Sequence, residues 1–95
     1  MIQNAYSIKD AKANVFSAPF FSINDKTAQR SFEQAKNDSN TTISQNPEDY
    51  SLYRLAQFDD QSGELHPEKQ PYYLSTAAAP AVKKEIPTFE QYIES

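Results

Sequence analysis

Basic side chains close to aromatic ones are the residues of this sequence best suited to bind a ligand. Aromatic rings stack on the bases of single-stranded nucleic acid, at ~1–3 kcal/mol per base, and cations contact its phosphates. In the segment YSLYRLAQF, Arg54 interrupts an apolar face of a predicted strand, and Tyr53 neighbours it on the opposite face. The candidate DNA contacts are Lys9, Lys12, Lys26, Arg30, Tyr53 and Arg54.

The same residues also have a purely structural interpretation. Arg54 would pair with a helix carboxylate such as Glu33, and the tyrosines would pack inside the domain; taken alone, the residues favour this interpretation. The net charge of −4 and the pI of about 4.8 also differ from the basic balance of most non-specific nucleic-acid binders. The position of the charges matters more than their sum. Basic residues gathered on one face would favour DNA binding, and basic residues scattered among carboxylates would favour binding to proteins.

Catalytic and metal-binding patterns are weak in this sequence. His66 is the only histidine, and the nearby Asp59, Asp60 and Glu64 fit a solvated turn better than a metal site, because the ligand spacing of an EF-hand is missing. The chain has no Cys, a single Gly and no G-x-S-x-G element, which argues against thiolate chemistry, a Gly-rich phosphate loop and a serine nucleophile elbow. We therefore expect a protein that is not an enzyme and that uses no cofactor and no metal.

The length and apolar content indicate one small domain. The chain has 95 residues, and its six Phe and six Tyr should supply much of a thin core, since it has no Trp. No stretch approaches the ~20 apolar residues of a membrane helix. The first ten residues, MIQNAYSIKD, lack the pattern of a signal peptide. We expect a soluble protein in the cytoplasm of the cell that makes it.

Two strands are predicted at the start of the chain, over residues 2–9 and 15–23. The first shows weak alternation of apolar and polar residues, and the second is rich in residues that favour strands. Pro19 lies inside the second segment and cannot donate a hydrogen bond to a neighbouring strand, which predicts an edge or bulged strand. The intervening DAKAN is too short for a stable helix and predicts a turn or a single helical turn.

A helix is predicted next, within residues 24–40. Asn24 or Asp25 can cap its start by accepting a hydrogen bond from a free backbone N–H. The NDSN segment ends it, because these side chains compete for backbone hydrogen bonds. A narrow apolar stripe at positions i, i+4 and i+7 is formed by Ala28, Phe32 and Ala35.

A hairpin is predicted after a linker with a turn at Asn46-Pro47. Its first strand covers residues 50–58, and Gly63 suits the left-handed position of the following loop. The return strand begins at ELH, is interrupted by Pro67 and resumes in PYYLS. By simple alternation, the first strand carries Tyr53 and Leu55 on one face and the following residues on the other: Tyr50, Leu52, Arg54, Ala56 and Phe58.

Together these elements predict an α+β fold with a small antiparallel sheet in β-β-α-β-β order, one helix packed on a face and an irregular C-terminal tail. The domain would cover residues 1–74 and the tail residues 75–95. Near the end of the tail, TFEQYIES places apolar residues at i, i+3 and i+4, which suits a short docking helix. The alternative is a mostly disordered tail, and the sequence leaves both open.

Three segments, in order and spacing, resemble the small non-structural DNA-binding protein of gokushoviruses, the single-stranded-DNA phages of the Microviridae that include the chlamydial phages. They are IKDAKANVFSAPFF, TAQRSF and NPEDYSLYRLAQFDDQSGEL. The sequence departs from the family pattern at Asn46, where a His is expected, at Ala56, where a Gly is common, and in its longer C-terminal tail. The matched positions are Asp10, Lys12, Ala13, Pro19, Phe20, Phe21, Ala28, Arg30, Phe32, Pro47, Glu48, Asp49, Tyr50, Leu52, Phe58, Asp59, Asp60 and Gly63.

The resemblance implies a non-enzymatic protein that binds phage DNA in the cytoplasm of the infected bacterium. The DNA would be single-stranded, and the role would be genome replication or the switch to single-strand synthesis and packaging, with a homodimer as one expected form. An adaptor that acts on host or phage replication proteins is the alternative, because edge strands and amphipathic helices are common docking elements. A minor virion component is a third hypothesis.

Overall fold

A computed structural model describes residues 1–78 as an antiparallel sheet with helices packed against one of its faces. The sheet has five strands in the order β2-β1-β4-β5, and β3 pairs with the same edge of β1 as β2 does. The elements in chain order are β1 Ile2–Asp10, β2 Val15–Phe16, β3 Phe20–Ser22, α1 Asp25–Asn37, α2 Thr42–Gln45, β4 Tyr50–Asp59 and β5 Leu65–Thr76.

The predicted α+β class, with a small antiparallel sheet and a helix, is confirmed. The predicted strand over residues 15–23 is wrong in one respect, since it is two short strands on either side of Ser17–Pro19. Both pair with β1, β2 opposite Lys9 and Asp10 and β3 opposite the Asn4–Tyr6 stretch. Pro19 cannot donate to the ladder, so the pairing stops before it and resumes after it.

The segment predicted as a linker contains two helical turns. Thr41 caps α2 by accepting a hydrogen bond from the backbone N–H of Ser44 at 3.1 Å. A 3₁₀ turn follows at Pro47–Asp49, with the proline in its first turn, where the missing N–H would have had no partner. These local caps carry little hydrophobic signal, which is why the apolar pattern alone did not predict them.

Helix α1 docks on the sheet through the predicted stripe. Asn24 is the N-cap, accepting a hydrogen bond from the Thr27 N–H at 2.8 Å. Ala28 and Phe32 are buried. They share the core with three further residues, Tyr6, Leu52 and Ala77.

Within residues 1–78, two turns contain a residue with left-handed backbone. Asn14 has a φ of 58° in the turn between β1 and β2. In the same turn, the Asp10 carboxylate accepts hydrogen bonds from the backbone N–H groups of Lys12 and Ala13. Gly63 has a φ of 78° in the turn between β4 and β5, as the sequence predicted, and its N–H donates to the Asp59 carbonyl at 2.8 Å.

Strand β5 runs through both Pro67 and Pro71 without ending, although an interruption was predicted at Pro67. It lies at the edge of the sheet, where a proline can be accommodated. Its pairing with β4 shifts register near these residues. Ala77, just past β5, is buried in the core, so residues that were assigned to the tail contribute to the sheet and core. The docking helix suggested for TFEQYIES lies outside the described residues.

Candidate nucleic-acid interface

The sheet has a helix-covered face and an open face, and strand register assigns residues to each. Residues directly opposite each other on neighbouring strands point to the same side. Tyr6 and Leu52 point towards α1. The other side, which we call the open face, comprises Gln3, Ala5, Ser7, Lys9, Phe16, Phe21, Ser51, Tyr53, Ala56, Phe58, Leu65, Pro67, Tyr73 and Thr76.

A bulge at Leu55 determines part of this assignment. Leu55 has no register partner on either neighbouring strand, since Arg54 pairs with Tyr6 and Ala56 pairs with Ala5. Beyond the bulge, β4 residues change face relative to simple alternation. The Phe21 and Phe58 rings accordingly meet on the open face, with centroids 5.4 Å apart. The predicted grouping of Ala56 and Phe58 with Leu52 and Arg54 is therefore wrong.

Three aromatic rings form a row across the open face, which we call the aromatic row: Phe16, Tyr53 and Tyr73. The Phe16 and Tyr53 centroids are 5.4 Å apart with planes at 76°, and the Tyr53 and Tyr73 centroids are 5.7 Å apart with planes at 73°. The rings run from β2 over β4 to β5, and Ser7, the register partner of Tyr53, is buried on the same face. Tyr73 remains 52% exposed and Phe16 37% exposed, so ring surface is available to a ligand.

The open face carries little charge. Lys9 is the one charged residue among its register positions, and its Nζ lies 5.5 Å from the Phe16 ring centroid. No Asp or Glu of residues 1–78 occupies those positions. The carboxylates of this part of the chain lie in α1, in turns or towards the helix-covered side. The carboxylates of residues 1–78 thus lie away from the register positions that carry the aromatic row.

Arg54 lies on the helix-covered side in an ionic network. Its Nη1 donates to Asp25 Oδ2 at 2.6 Å and its Nε donates to Glu68 Oε2 at 2.8 Å. Its guanidinium also stacks 4.5 Å from the centroid of Tyr72. The hydrogen bonds that Arg54 donates to Glu68 and Asp25 raise the pKa of its guanidinium above the ordinary value. Pairing with a helix carboxylate was one of the two interpretations of the sequence, but the partner in α1 is Asp25 rather than Glu33.

The predicted contact residues do not gather on one face. Lys9 and Tyr53 share the open face, and Lys12 is exposed in the turn at the Lys9 end of the sheet. Lys26 and Arg30 are exposed on α1, across the sheet from the aromatic row. Arg54 is held by two carboxylates. Basic residues that are scattered in this way favour binding to proteins rather than to DNA. The argument for DNA binding depends on the aromatic row instead.

Sequence reasoning missed Phe16 and Tyr73 as members of the candidate site. Phe16 was assigned only to a strand and Tyr73 only to the return strand. The sequence did show two aromatic residues in predicted strands, and these strands lie next to the strands that carry Lys9 and Tyr53. The signal was insufficient because their meeting depends on the register of three strand pairs.

The polar network beneath α1 also includes Tyr6, which is fully buried. Its hydroxyl donates to Asp25 Oδ1 at 2.6 Å and accepts from Asn4 Nδ2 at 3.0 Å. Burial, followed by the hydrogen bond to Asp25, raises the pKa of Tyr6 from 10.0 to about 12. The folded state therefore favours the neutral phenol.

We expect Tyr6→Phe to lower stability by ~1–3 kcal/mol near neutral pH, because it leaves Asp25 Oδ1 without its donor and Asn4 Nδ2 without its acceptor. A raised folded-state pKa contributes stability that is complete below the unfolded pKa and is lost as pH rises through the folded value. The deficit of Tyr6→Phe should therefore shrink as pH rises from 10.0 towards about 12. Urea unfolding of both proteins over this range measures it. A deficit that stays constant with pH would contradict the assignment.

Three further observations concern the described residues. Within residues 1–78, no group of three or more His, Asp or Glu side chains is placed to hold a metal ion. In the same part of the chain, no helix is long and apolar enough to cross a membrane. A groove of about 260 Å³ lies between β2 and α2, lined mainly by Ile8, Val15, Phe16, Ile43 and Tyr50.

Comparison with known proteins identifies the family. Neither the curated proteins nor the solved structures gave a significant match to the chain. A family model described as Phage ORF5 protein matches residues 3–79, which include all of the sheet except Ile2, both helices and the aromatic row. The chain therefore belongs to the Phage ORF5 protein family.

Proposed function

We propose that this phage-family protein binds single-stranded DNA through its open face. The observation that carries the proposal is the aromatic row, Phe16, Tyr53 and Tyr73, on a face whose register positions hold a lysine and no carboxylate. Aromatic rings on a sheet stack with bases of any sequence, and a nearby cation contacts the phosphates. The overall charge of −4 matters less for such a contact than the local charge, and no carboxylate of residues 1–78 occupies a register position of the open face.

Stacking on this row requires exposed base faces, which favours single strands over duplex. In a duplex the base faces are stacked on one another and only the edges are accessible in the grooves. In a single strand the bases can unstack and lie against the exposed surfaces of Phe16 and Tyr73. Lys9, beside Phe16, would contact a phosphate at one end of the row. Arg54 stabilises the fold in this proposal and does not contact DNA.

The biological setting of the proposal is the infected bacterium. Membership of a phage family supports it, as does the resemblance of three segments to the gokushovirus non-structural protein. We propose a role in viral genome replication, or in the switch to single-strand synthesis and packaging, in the host cytoplasm. Coating of newly made single strands through stacking contacts would serve either role, because it does not depend on base sequence.

The salt dependence of DNA binding tests how much of the affinity comes from base stacking and how much from contacts between cations and phosphates. For single strands the slope of log K against log salt is about −0.7 per phosphate neutralised. With Lys9 as the main cation at the site, we expect a shallow slope, and Lys9→Gln should make it shallower by about 0.7. Fluorescence anisotropy of a labelled oligothymidylate measures both slopes. Lys26→Gln is the matched control, since it removes an exposed lysine from α1, and its slope should equal that of the unmodified protein.

Two outcomes would reject the proposal. One is the absence of oligothymidylate binding at low salt, and the other is a steep slope that Lys26→Gln reduces and Lys9→Gln does not. The latter would place the contact on α1.

An adaptor that binds host or phage replication proteins is the second candidate function. The exposed apolar side chains of the open face favour it, since Phe21 is 49% exposed and Leu65 57% exposed beside the aromatic row. The edge position of the long strand β5 also favours it. Capture from infected cells would distinguish the two functions. Recovery of a stoichiometric protein partner whose binding is lost in Tyr73→Ala, together with no affinity for oligothymidylate, would establish the adaptor.

A further inference from the structure

We infer that residues 79–95 of this chain dock on the open face in the absence of DNA and compete with DNA for it. The docking depends only on the chemistry of the open face and of this segment. The competition rests on the proposed function. The occupant is thus a part of the same chain, and the aromatic row is the surface that it covers.

The first argument is the place where the described part of the chain ends. Thr76 lies opposite Ser51 on the open face, with their hydroxyl oxygens 2.9 Å apart, and its hydroxyl is 2.7 Å from that of Tyr73. The Ala77 N–H then donates to the Tyr50 carbonyl at 2.9 Å, which fixes the chain at this end of the sheet. Residue 79 therefore follows within three residues of a position next to the aromatic row.

The second argument is reach. Seventeen residues, 79–95, span up to ~56 Å when extended. The aromatic row is only two centroid steps long, of 5.4 and 5.7 Å. The segment can therefore lie along the row with most of its length to spare. Attachment to the same chain also gives it an effective concentration on the order of mM, so a weak contact is enough.

The third argument is chemical similarity to the proposed ligand. The two lysines of the segment stand together at Lys83 and Lys84, and the stretch that follows them, EIPTFEQYIES at residues 85–95, carries three glutamates and no lysine or arginine. It also carries two aromatic rings, Phe89 and Tyr92, among these carboxylates. Flat rings and negative charge are the two features through which single-stranded DNA would bind the row and Lys9. An acidic aromatic peptide is accordingly the occupant that suits a face without carboxylates.

Docking of this segment would lower the apparent affinity for DNA. Binding is weakened by the fraction of molecules whose face is free, so a face that is covered most of the time costs ~3–10-fold in affinity. Substitutions that weaken docking should restore that affinity. By reciprocity, saturating DNA should release the segment.

Paramagnetic relaxation enhancement tests docking without any DNA. The chain has no cysteine, so Ser95→Cys gives a single site for a nitroxide label on the full-length protein. We expect broadening of the amide signals of Tyr53 and Tyr73, and its loss when Phe89→Ala and Tyr92→Ala are added. A label at Ser39→Cys, between α1 and α2, is the control and should leave those signals sharp. Unbroadened open-face signals would overturn the inference.

Mixing distinguishes docking within one chain from docking on a second copy. Protein that carries the nitroxide but no ¹⁵N is mixed with ¹⁵N protein that carries no nitroxide. Broadening of the observed signals can then arise only between molecules. We expect none at concentrations where the labelled chain broadens its own signals. Broadening of equal strength in the mixture would overturn docking within the chain and would identify a second copy as the occupant.

DNA affinity then tests the competition separately. The full-length Phe89→Ala, Tyr92→Ala double variant should bind oligothymidylate ~3–10-fold more tightly, and so should a variant with Glu85, Glu90 and Glu94 changed to glutamine. Relaxation enhancement without DNA binding at low salt would support docking and refute the proposed function. DNA binding without relaxation enhancement would refute the docking and leave the proposed function intact. Unchanged affinity in both variants would refute the competition.

Discussion

Tyr73→Ala is expected to weaken binding of oligothymidylate roughly 5–150-fold, whereas Tyr72→Ala should leave it nearly unchanged. The two tyrosines are adjacent in β5 and almost equally exposed, at 52% and 53%. They point to opposite sides of the sheet, since Tyr73 pairs with Tyr53 and Tyr72 pairs with Arg54. Tyr73 is one end of the aromatic row, and its loss removes a stacking surface worth ~1–3 kcal/mol.

This pair controls for effects that have nothing to do with the site. Each variant removes one exposed ring from the same strand, so changes in solubility or in general hydrophobic contact should be similar. Tyr73→Phe serves as a further control, because it keeps the ring and removes only the hydroxyl that contacts Thr76. We expect it to bind DNA nearly as well as the unmodified protein. Equal losses in Tyr73→Ala and Tyr72→Ala would show that the open face is not the binding surface.

Phe32→Ala is expected to lower the free energy of unfolding by ~3–5 kcal/mol. Phe32 is buried where α1 meets Tyr6 and Leu52, so its removal leaves a cavity and takes away the main anchor of the helix. For a small domain with a typical stability of ~5–15 kcal/mol, a loss of this size is a large fraction of the total. Urea unfolding followed by far-ultraviolet circular dichroism measures it.

Phe21→Ala is the matched control for that experiment. Phe21 is 49% exposed on the open face and contacts Phe58 there. Its removal should cost clearly less than that of Phe32, because half of the side chain is already exposed and the aromatic pair adds only ~0.5–1.5 kcal/mol beyond the area it buries. If Phe21→Ala were as damaging as Phe32→Ala, the open face would be part of the stabilising core, and the division between a helix-covered core and a ligand-binding face would be wrong.

The parts of the fold that depend on local sequence were predictable. The cap and the apolar stripe of α1 depend on residues in or next to the helix itself: Asn24 was one of the two predicted caps, and Ala28 and Phe32 were predicted in the stripe. Gly63 was predicted in a left-handed turn because a single glycine between two strands has few other backbone roles. Such features are determined by neighbours in the chain, so they are visible in the sequence.

The candidate site could be predicted only in part, because it depends on pairing between distant segments. Tyr53 was named from its strand, but Phe16 and Tyr73 reach it only through the registers of β2 and β5. The bulge at Leu55 moves the following residues to the other face, and alternation cannot reveal a bulge. Two interpretations of Arg54 were open from the sequence, and its ion pair with Asp25 depends on how α1 packs against β4.

Mapping of DNA contacts by NMR tests the central claim most directly. The ¹⁵N-labelled full-length protein is titrated with oligothymidylate at low salt, and amide shifts are recorded for residues on both sides of the sheet. The aromatic-row account predicts saturable shifts at Lys9, Phe16, Tyr53 and Tyr73, with Lys26 and Arg30 on α1 unchanged. Shifts confined to α1, or none on the open face at saturating DNA, would contradict it.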